Sequence, residues 1–227
     1  MKTTCNTSKL TAALKNAMER YTEDSTSFSV HISMGNRKMG AIPSVSLLPV
    51  LTCPKCAEST CASHCYAKRY SVRYKETMKA YAENTVLFSK NPDRFFDEIA
   101  NFCKMQRYFR WQVAGDIVND RYLVGMVKVA KSCPHCMFLA FTKKYDLVEN
   151  YLGNGGKLPN NLNIVLSGWG DLQPENKFGL PVSQVIFKGE TPNDEWKICG
   201  GNCTECACRG IGCWELKKGE TIAFYEH

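Results

Sequence analysis

Nine of the 13 cysteines stand in two short stretches of the sequence. The first stretch, LTCPKCAESTCASHCYAKRY (residues 51–70), has the spacing C-x2-C-x4-C-x3-C and contains Cys53, Cys56, Cys61 and Cys65. The second stretch, ICGGNCTECACRGIGCW (residues 198–214), has the spacing C-x3-C-x2-C-x1-C-x4-C and contains Cys199, Cys203, Cys206, Cys208 and Cys213. Thiolates at short, uneven spacings are typical of iron–sulfur ligands, so both stretches predict iron–sulfur clusters, most simply of the 4Fe-4S type.

Disulfide bonds are a weaker explanation of these cysteines. Their number is odd, and a chain of 227 residues is long enough to bury a sizeable core without covalent staples. The first residues, MKTTCNTSKLTAALKNAMERY, lack the apolar segment of a signal peptide, and no apolar run reaches the roughly 20 residues that span a bilayer. We therefore expect a cytoplasmic protein without a membrane partner, whose thiolates are held by metal.

Zinc is the alternative metal. Zinc prefers four ligands in paired knuckles, and CPKC (Cys53, Cys56) together with CPHC (Cys133, Cys136) would supply four thiolates. Within the second stretch, two cysteines, Cys206 and Cys208, are too close in sequence to be expected easily on one centre, so one of them is predicted to be spare. The isolated Cys5 and Cys103 are expected to be free.

The formal charge of +7 suggests a polyanion partner. Iron–sulfur clusters bound by thiolates would offset part of this charge, which makes it weak evidence for nucleic acid. A stronger indication is YAKRYSVRYK (residues 66–75), where basic and aromatic residues alternate as in proteins that bind single strands. On a helix, however, Tyr66, Tyr70 and Tyr74 share one face, which we expect to pack on the core, so nucleic acid is possible but not favoured.

The rest of the chain predicts one α/β domain over residues 1–227, with cysteine-rich subregions at 51–70 and 198–214. Apolar periodicity predicts helices at residues 8–21, 66–89, 91–103, 121–131 and 145–152. Strands are predicted at residues 109–115, 137–142, 162–168 and 183–187. Strands that alternate with helices indicate βαβ units and a parallel sheet, which we expect to form part of a (β/α) barrel.

Polar residues follow three of these predicted strands. Asp116 follows FRWQVAG, Thr142 and Lys143 end MFLAFTK, and Ser167 with Trp169 ends the strand that contains NIVL. Ligands of parallel α/β folds bind beyond the carboxyl ends of the strands, which makes these residues candidates for a site. The alternative is that Asp116 caps a helix or loop and that Thr142 is a turn residue.

Two familiar catalytic arrangements fit poorly. The nearest approach to a nucleophile elbow is VLSGWG, where Val165 replaces the first glycine before Ser167. Of the four histidines, only His31 lies away from the cysteine motifs and the last residue, and its stretch FSVHISM predicts an ordinary paired histidine in a strand. Cys199-x3-Cys203-x2-Cys206 also matches the three-cysteine motif of radical S-adenosylmethionine enzymes, although it lies near the end of the chain.

Four segments in this order resemble the phage "gene product 88" type of protein, a group that also includes bacterial and environmental sequences. They are SMGNRKMGAIPSVSLLP, TCPKCAESTCASHCYAKR, FRWQVAGDIVNDRYL and FLAFTKKYD, and CYAKR and GDI are the most distinctive parts. The resemblance covers about residues 33–214. It implies an iron–sulfur protein with a barrel-like α/β core, and cluster-dependent hydrolysis of small-molecule esters and β-lactams.

Such hydrolysis assigns roles to the candidate residues. An iron without a protein thiolate acts as a Lewis acid toward a carbonyl oxygen or water. Asp116 is then predicted to be the general base, and Lys38, Lys68 or Lys143 to stabilise an oxyanion. The alternative for each lysine is a solvated surface charge. Radical chemistry, and a nucleic-acid-binding or structural iron–sulfur protein, are the alternative functions.

Overall fold

The computed structural model describes residues 7–54, 61–170 and 172–226, in which helices surround a mostly parallel sheet. The helices are α1 (Ser8–Glu23), α2 (Tyr66–Arg73), α3 (Lys75–Lys90), α4 (Pro92–Cys103), α5 (Asp120–Ser132), α6 (Tyr145–Gly153) and α7 (Cys203–Arg209). The strands are β1 (Ile32–Ser33), β2 (Ser44–Val45), β3 (Tyr108–Arg110), β4 (Met137–Thr142), β5 (Leu162–Ser167), β6 (Val182–Ile186), β7 (Lys197–Ile198) and β8 (Thr221–Tyr225). No helix among these residues has the length and apolar character to cross a membrane.

The order of strands in the sheet is β1-β2-β3-β4-β5-β6-β8-β7, and only the β1–β2 pair is antiparallel. From β2 to β6 the neighbours follow chain order, with α5 and α6 as the crossovers that bring β4 beside β3 and β5 beside β4. This confirms the α/β class and the parallel sheet. Among the described strands, β1 and β7 form the two edges and do not pair with each other, so the sheet is open.

Both faces of the central strands are buried. Along β4, Phe138 and Ala140 belong to the core beneath the helices, whereas Leu139 points to the opposite face. There Trp214 and other apolar residues of the C-terminal segment cover the sheet. Central parallel strands need cover on both sides, so the second cysteine-rich stretch also closes the core.

The predicted helix at residues 66–89 is wrong in one respect, because the chain forms two helices there. Tyr74 has extended backbone angles (φ −113°, ψ 105°) and separates α2 from α3. It makes no side-chain cap, and neither glycine nor proline lies nearby. No local sequence signal therefore predicts the break. We attribute it to the packing of α3 on the core, which overrides the local preference for a helix.

The predicted strand at residues 109–115 is too long, because β3 ends at Arg110. Two residues later Gln112 has φ 40°, a left-handed angle that a continuing strand does not allow. The stretch FSVHISM contributes only β1. The largest omission is β8, which lies between β6 and β7 although the sequence analysis predicts no strand there.

His31 has the ordinary paired role that its strand-like stretch predicts. Its Nε2 is in hydrogen-bond contact with Glu83, and Arg20 Nη1 lies 2.6 Å from the other carboxylate oxygen. Burial alone would raise the pKa of Glu83, but the hydrogen bonds from Arg20 and His31 outweigh it and lower the pKa. Glu83 is 6% exposed, so this carboxylate links α1, the segment before β1, and α3 inside the protein.

We expect Glu83→Gln to destabilise the protein by about 1–3 kcal/mol near neutral pH, because two donors lose their charged acceptor. A carboxylate whose folded pKa is lowered adds stability that is present at neutral pH and is lost as the pH falls through that pKa. The difference between wild type and variant should therefore shrink on acidification. Urea unfolding of both proteins between about pH 7 and pH 3 measures it, and a difference independent of pH would contradict the assignment.

Candidate functional site

A cleft of about 250 Å³ lies at the carboxyl ends of the strands, as the parallel sheet predicts. We call it the strand-end cleft. Residues from the ends of β4 and β5 meet there with residues of the first cysteine-rich stretch, and its lining includes Cys53, Cys61, Cys65, Asp116, Lys143 and Ser167. The structure therefore brings together candidate residues that stand up to 114 positions apart in the sequence (167 − 53).

Asp116 joins the ends of two strands. Its Oδ1 accepts hydrogen bonds from Thr142 Oγ1 at 2.5 Å and from Ile117 N at 2.7 Å, while Oδ2 accepts from Lys143 N at 2.9 Å. Burial raises the pKa of Asp116, although these hydrogen bonds and the charge of Lys143 act to lower it. Three of the roughly four acceptor positions of the carboxylate are thus occupied by structural donors. Thr142 likewise holds the turn, since its Oγ1 also accepts from Lys144 N.

Lys143 and Ser167 form the second polar contact of the strand-end cleft. Lys143 Nζ donates to Ser167 Oγ at 2.8 Å, which links the ends of β4 and β5. The Tyr145 hydroxyl donates to the Ser167 carbonyl and fixes the same residue from α6. Lys143 is also close enough to Cys61 to oppose the increase in pKa that burial causes at that thiol. The ammonium group therefore lies between the polar strand ends and the first cysteine-rich stretch.

Three described cysteines of the first stretch, Cys53, Cys61 and Cys65, line the strand-end cleft, and we call them the first cysteine set. Backbone amides point at two of their sulfurs: Val50 N donates to Cys53 Sγ at 3.3 Å, and Lys68 N to Cys65 Sγ at 3.4 Å. The first of these contacts involves an unusual backbone, because Val50 has φ 69°. Cys56 lies outside the described residues.

Four cysteines of the second stretch line a larger cleft of about 760 Å³, which we call the aromatic cleft. They are Cys199, Cys203, Cys206 and Cys213, and we call them the second cysteine set. Cys208 is exposed and does not line the cleft. Because α7 places Cys203 and Cys206 three residues apart on one face, a cysteine two residues further along points elsewhere. Of Cys206 and Cys208, only Cys206 therefore lies beside the other described cysteines of the aromatic cleft.

The sheet holds the second cysteine set in place. Asn163 Nδ2 on β5 donates to the Cys213 carbonyl at 2.8 Å, and the Tyr108 hydroxyl on β3 donates to the Ala207 carbonyl at 2.9 Å. Gly212 has φ 72°, and a Cβ there would lie 3.2 Å from Cys206 Sγ. The tight turn that returns Cys213 to the set therefore favours glycine at this position.

Arg110 stands between the two cysteine sets, and the sequence analysis did not select it. Its side chain lines both clefts, its Nη1 lies 3.9 Å from Cys203 Sγ, and its guanidinium stacks 4.6 Å from the Phe141 ring centre. The buried Nε has no hydrogen-bond partner, and none of the salt bridges among the described residues includes Arg110. A half-buried guanidinium that makes no salt bridge with a described carboxylate suits a site for an anionic group.

Burial strongly disfavours the ionised form of two of the thiols. It raises the pKa of Cys53 to about 12, helped by the charge of Asp116, and it raises the pKa of Cys213 to about 12 although Arg110 opposes the shift. These thiols are therefore protonated at neutral pH unless a cation binds them, because a coordinated thiol loses its proton to the metal.

The four-cysteine zinc site of the sequence analysis does not assemble. Cys133 and Cys136 are buried in the helix-side core at the amino end of β4, about 20 Å from its carboxyl end, where Cys53 lies. Cys103 is buried beside them in the same core. In the described part of the chain, no three His, Cys, Asp or Glu side chains converge closely enough to hold a single metal ion.

Of the remaining candidates, Lys38 reaches the site and Lys68 does not. Lys38 lines both clefts, with its Nζ 5.2 Å from the Phe224 ring centre, whereas Lys68 lines neither. His64, which the sequence analysis set aside, lines the strand-end cleft opposite Trp169, with ring centres 6.0 Å apart. His64 lies between two cysteines of the first set, which is the signal that could have identified it.

The tyrosines of α2 do not pack on the core. Tyr66, Tyr70 and Tyr74 are 54%, 52% and 43% exposed, so the expectation that their shared face is buried is wrong. The buried residues of α2 are instead Ala67 and Ser71, and the partly buried Val72 packs against the core. The short helix therefore presents an aromatic stripe to solvent.

The fold and the site define an α/β protein with a mostly parallel sheet and two sets of thiols that line two clefts. The family model described as Gene product 88 matches residues 4–219, and the chain belongs to this family. Comparison with curated proteins and with solved structures finds no significant match.

We expect Asp116→Asn to lower the free energy of unfolding by about 1–3 kcal/mol, because the amide places an N–H₂ group against a buried donor. Thr142→Val removes one hydrogen bond to this carboxylate and the acceptor of Lys144 N, but the carboxylate keeps its two backbone donors, so we expect a smaller effect. Urea unfolding of the three proteins measures the difference. Equal midpoints for wild type and Asp116→Asn would show that the carboxylate does not hold the strand ends together.

Proposed function

We propose that the protein binds iron–sulfur clusters through the two cysteine sets and hydrolyses small esters or β-lactams in the strand-end cleft. The observation that carries the proposal is the composition of this cleft. Three thiols, a lysine ammonium hydrogen-bonded to a serine, and a buried carboxylate line one cavity at the carboxyl ends of parallel strands. Membership of the Gene product 88 family is compatible with this proposal and does not by itself identify the cofactor.

The donor atoms fit an anionic group bound by thiolates. The second cysteine set offers four thiols beside Arg110, whose Nη1 contacts Cys203, and backbone amides point at sulfurs of both sets. The thiolates of a four-iron cluster bind its separate corners, so they lie farther apart than the ligands of one zinc ion. The absence of a convergent single-ion site among the described residues is therefore compatible with clusters.

The two sets differ in a way that suggests different roles. Structural metal sites are fully ligated, whereas catalytic sites keep an open position. The first set lines the cleft that also contains Asp116, Lys143 and Ser167, whereas the second set lines the aromatic cleft. We assign a structural or electron-storing role to the second set and the catalytic role to the first. Bound at the first set, a cluster iron with an open position would supply Lewis acidity toward a carbonyl oxygen or water.

The protein's own residues orient and stabilise the reacting acyl group. Lys143 Nζ donates to the oxygen that becomes negatively charged, and Ser167 holds that ammonium group in place from the end of β5. Asp116 fixes the backbone of Lys143 through its Oδ2 and so acts as a positioning residue. Its remaining acceptor position is the one from which it would act as a general base. Among the described residues no histidine is hydrogen-bonded to Ser167, which argues against a Ser–His–Asp triad.

Radical chemistry is less well supported by the arrangement of the second set. Three of its cysteines match the radical S-adenosylmethionine motif, but Cys213 joins them in the same cleft. A fourth thiolate would occupy the iron that this chemistry leaves open. Zinc remains the alternative metal for either set, and the metal and sulfide content of the protein distinguishes the two.

The cofactor is tested by purification without oxygen. We expect a brown protein with iron and acid-labile sulfide, because both sets are rich in thiols. Cys206→Ser should lose a large part of this iron, whereas the matched Cys208→Ser should keep all of it, because Cys208 faces away from the cleft. Iron, sulfide and zinc analysis of the three proteins gives the answer. Zinc without sulfide, or equal losses in both variants, would contradict the assignment.

The reaction is tested with activated esters and a β-lactam. Lys143→Gln should lower kcat/KM by about 10²–10³, the usual effect of removing an oxyanion donor, with unchanged iron content. The matched Lys157→Gln, on an exposed loop, should have no effect. Ser167→Ala should retain most of the activity, and oxidative loss of the cluster should abolish it. Activity that survives loss of the cluster and disappears in Ser167→Ala would instead indicate a serine hydrolase.

A further inference from the structure

The exposed tyrosine stripe and the aromatic cleft lie side by side, and hydrolysis in the strand-end cleft uses neither Tyr70 nor Tyr74. Tyr70 belongs to both features, because it lies on the stripe and lines the aromatic cleft. Its ring centre lies 4.4 Å from that of Tyr74, so the two rings form a continuous exposed aromatic surface. An exposed pair of rings at the mouth of a cleft is a suitable platform for stacking planar groups.

Cations accompany the stripe along the same helix. Arg69 and Arg73 are exposed, stand one turn apart on α2, and make no ion pair among the described residues. Residues 66–82 contain five lysines and arginines but only one carboxylate, that of Glu76. Because residues i and i+4 share a helix face, the arginines form a row directly beside the tyrosines. The surface thus combines stacking rings with a parallel line of positive charge.

The lining of the aromatic cleft has the same combination of aromatic and basic side chains. Arg37, Lys38 and Arg110 line it, together with Tyr66, Tyr81 and Phe224, and its lining among the described residues includes no aspartate or glutamate. Because the second cysteine set lines the same cleft, the cluster proposed above would occupy the cysteines, and Tyr70 is the residue of the stripe at which a nucleic-acid ligand reaches the cleft. A surface that extends from the cleft along α2 to Tyr74 exceeds what one mononucleotide needs and suits a chain of them.

We propose that α2 and the aromatic cleft bind single-stranded nucleic acid. Bases stack on Tyr70 and Tyr74, and phosphates face Arg69 and Arg73. Stacking depends little on the base sequence of the nucleic acid, and its phosphate charges supply most of the remaining affinity. Binding should therefore depend strongly on salt and weakly on base sequence. A duplex cannot stack its bases on the tyrosines and should bind more weakly.

Fluorescence anisotropy tests the proposal with the full-length, anaerobically purified protein and labelled oligo(dT) and oligo(U) of about 12 nucleotides. Tyr70→Ala should weaken binding by about 5- to 100-fold, the usual effect of losing one stacking ring, while Tyr70→Phe should bind like wild type. Stronger binding of either oligonucleotide supports the proposal and shows which sugar is preferred. Melting temperatures of the variants confirm that they fold.

The charge component is tested separately. In the double variant Arg69→Gln/Arg73→Gln, the slope of log Kd against log salt, from about 50 to 200 mM, should decrease by about 1.4, since single strands contribute about 0.7 per neutralised phosphate. The matched pair Lys128→Gln/Lys131→Gln removes two exposed cations from α5, outside both clefts, and should leave the slope unchanged.

Three results would overturn the proposal. The first is an absence of binding by the wild type at low salt. The second is equal binding of heparin, or of a duplex of the same length, with no effect of Tyr70→Ala, because that pattern indicates a simple cationic patch. The third is equal affinity for a single mononucleotide, which would make the aromatic cleft a nucleotide site without a role for the stripe.

Discussion

The buried carboxylate of Asp116 connects the strand ends on which the strand-end cleft is built. Removing a carboxylate from water is unfavourable unless hydrogen bonds replace its hydration, and here three donors from two adjacent segments do so. The same contacts fix the backbone of Lys143, whose ammonium group then reaches Ser167 on the next strand. The hydrogen bonds to the buried Asp116 carboxylate thus position the polar groups at the end of β4 and, through Lys143, those at the end of β5. The cysteines of the first set approach this frame from the other side of the cleft.

Arg110 imposes a second constraint, which is electrostatic. The Arg110 guanidinium lies beside Cys203, its Nε is buried without a partner, and it makes no salt bridge in the described part of the chain, an arrangement that is unfavourable by itself. It becomes favourable when the thiols are ionised around a metal centre with net negative charge. Burial raises the pKa of Cys213 to about 12 even though Arg110 opposes the shift, so the arginine alone does not ionise this thiol. The cation and the thiols therefore fit together best in the presence of the cofactor that we propose.

The strongly patterned parts of the chain could be predicted from sequence. Strands β4 and β5 and helix α6 have clear apolar runs, and the rule that ligands bind beyond strand ends selected Asp116, Lys143 and Ser167. The ends of β3 and α2 could not be predicted, because Gln112 and Tyr74 adopt angles that tertiary packing imposes without a glycine or proline to signal them. Arg110 was missed because a charged residue inside an apolar strand has no distinctive spacing. A helix at residues 203–209, had it been recognised, would have separated Cys206 from Cys208 by periodicity alone.

The break at Tyr74 makes α2 a short helix with contacts of its own. The Cys65 sulfur caps its first turn and faces the strand-end cleft, while Tyr70, just over one turn further on, faces the aromatic cleft. In an unbroken helix, the axis of α3, which packs tightly against α1 and α4, would fix both of these positions. Because the chain is extended at Tyr74, the axis of α2 differs from that of α3, and α2 lies beside the two clefts. The sequence around Tyr74 favours a helix, but the chain is extended there. We attribute this difference to the two clefts that α2 lines, because local sequence preference is expected to yield where it conflicts with function.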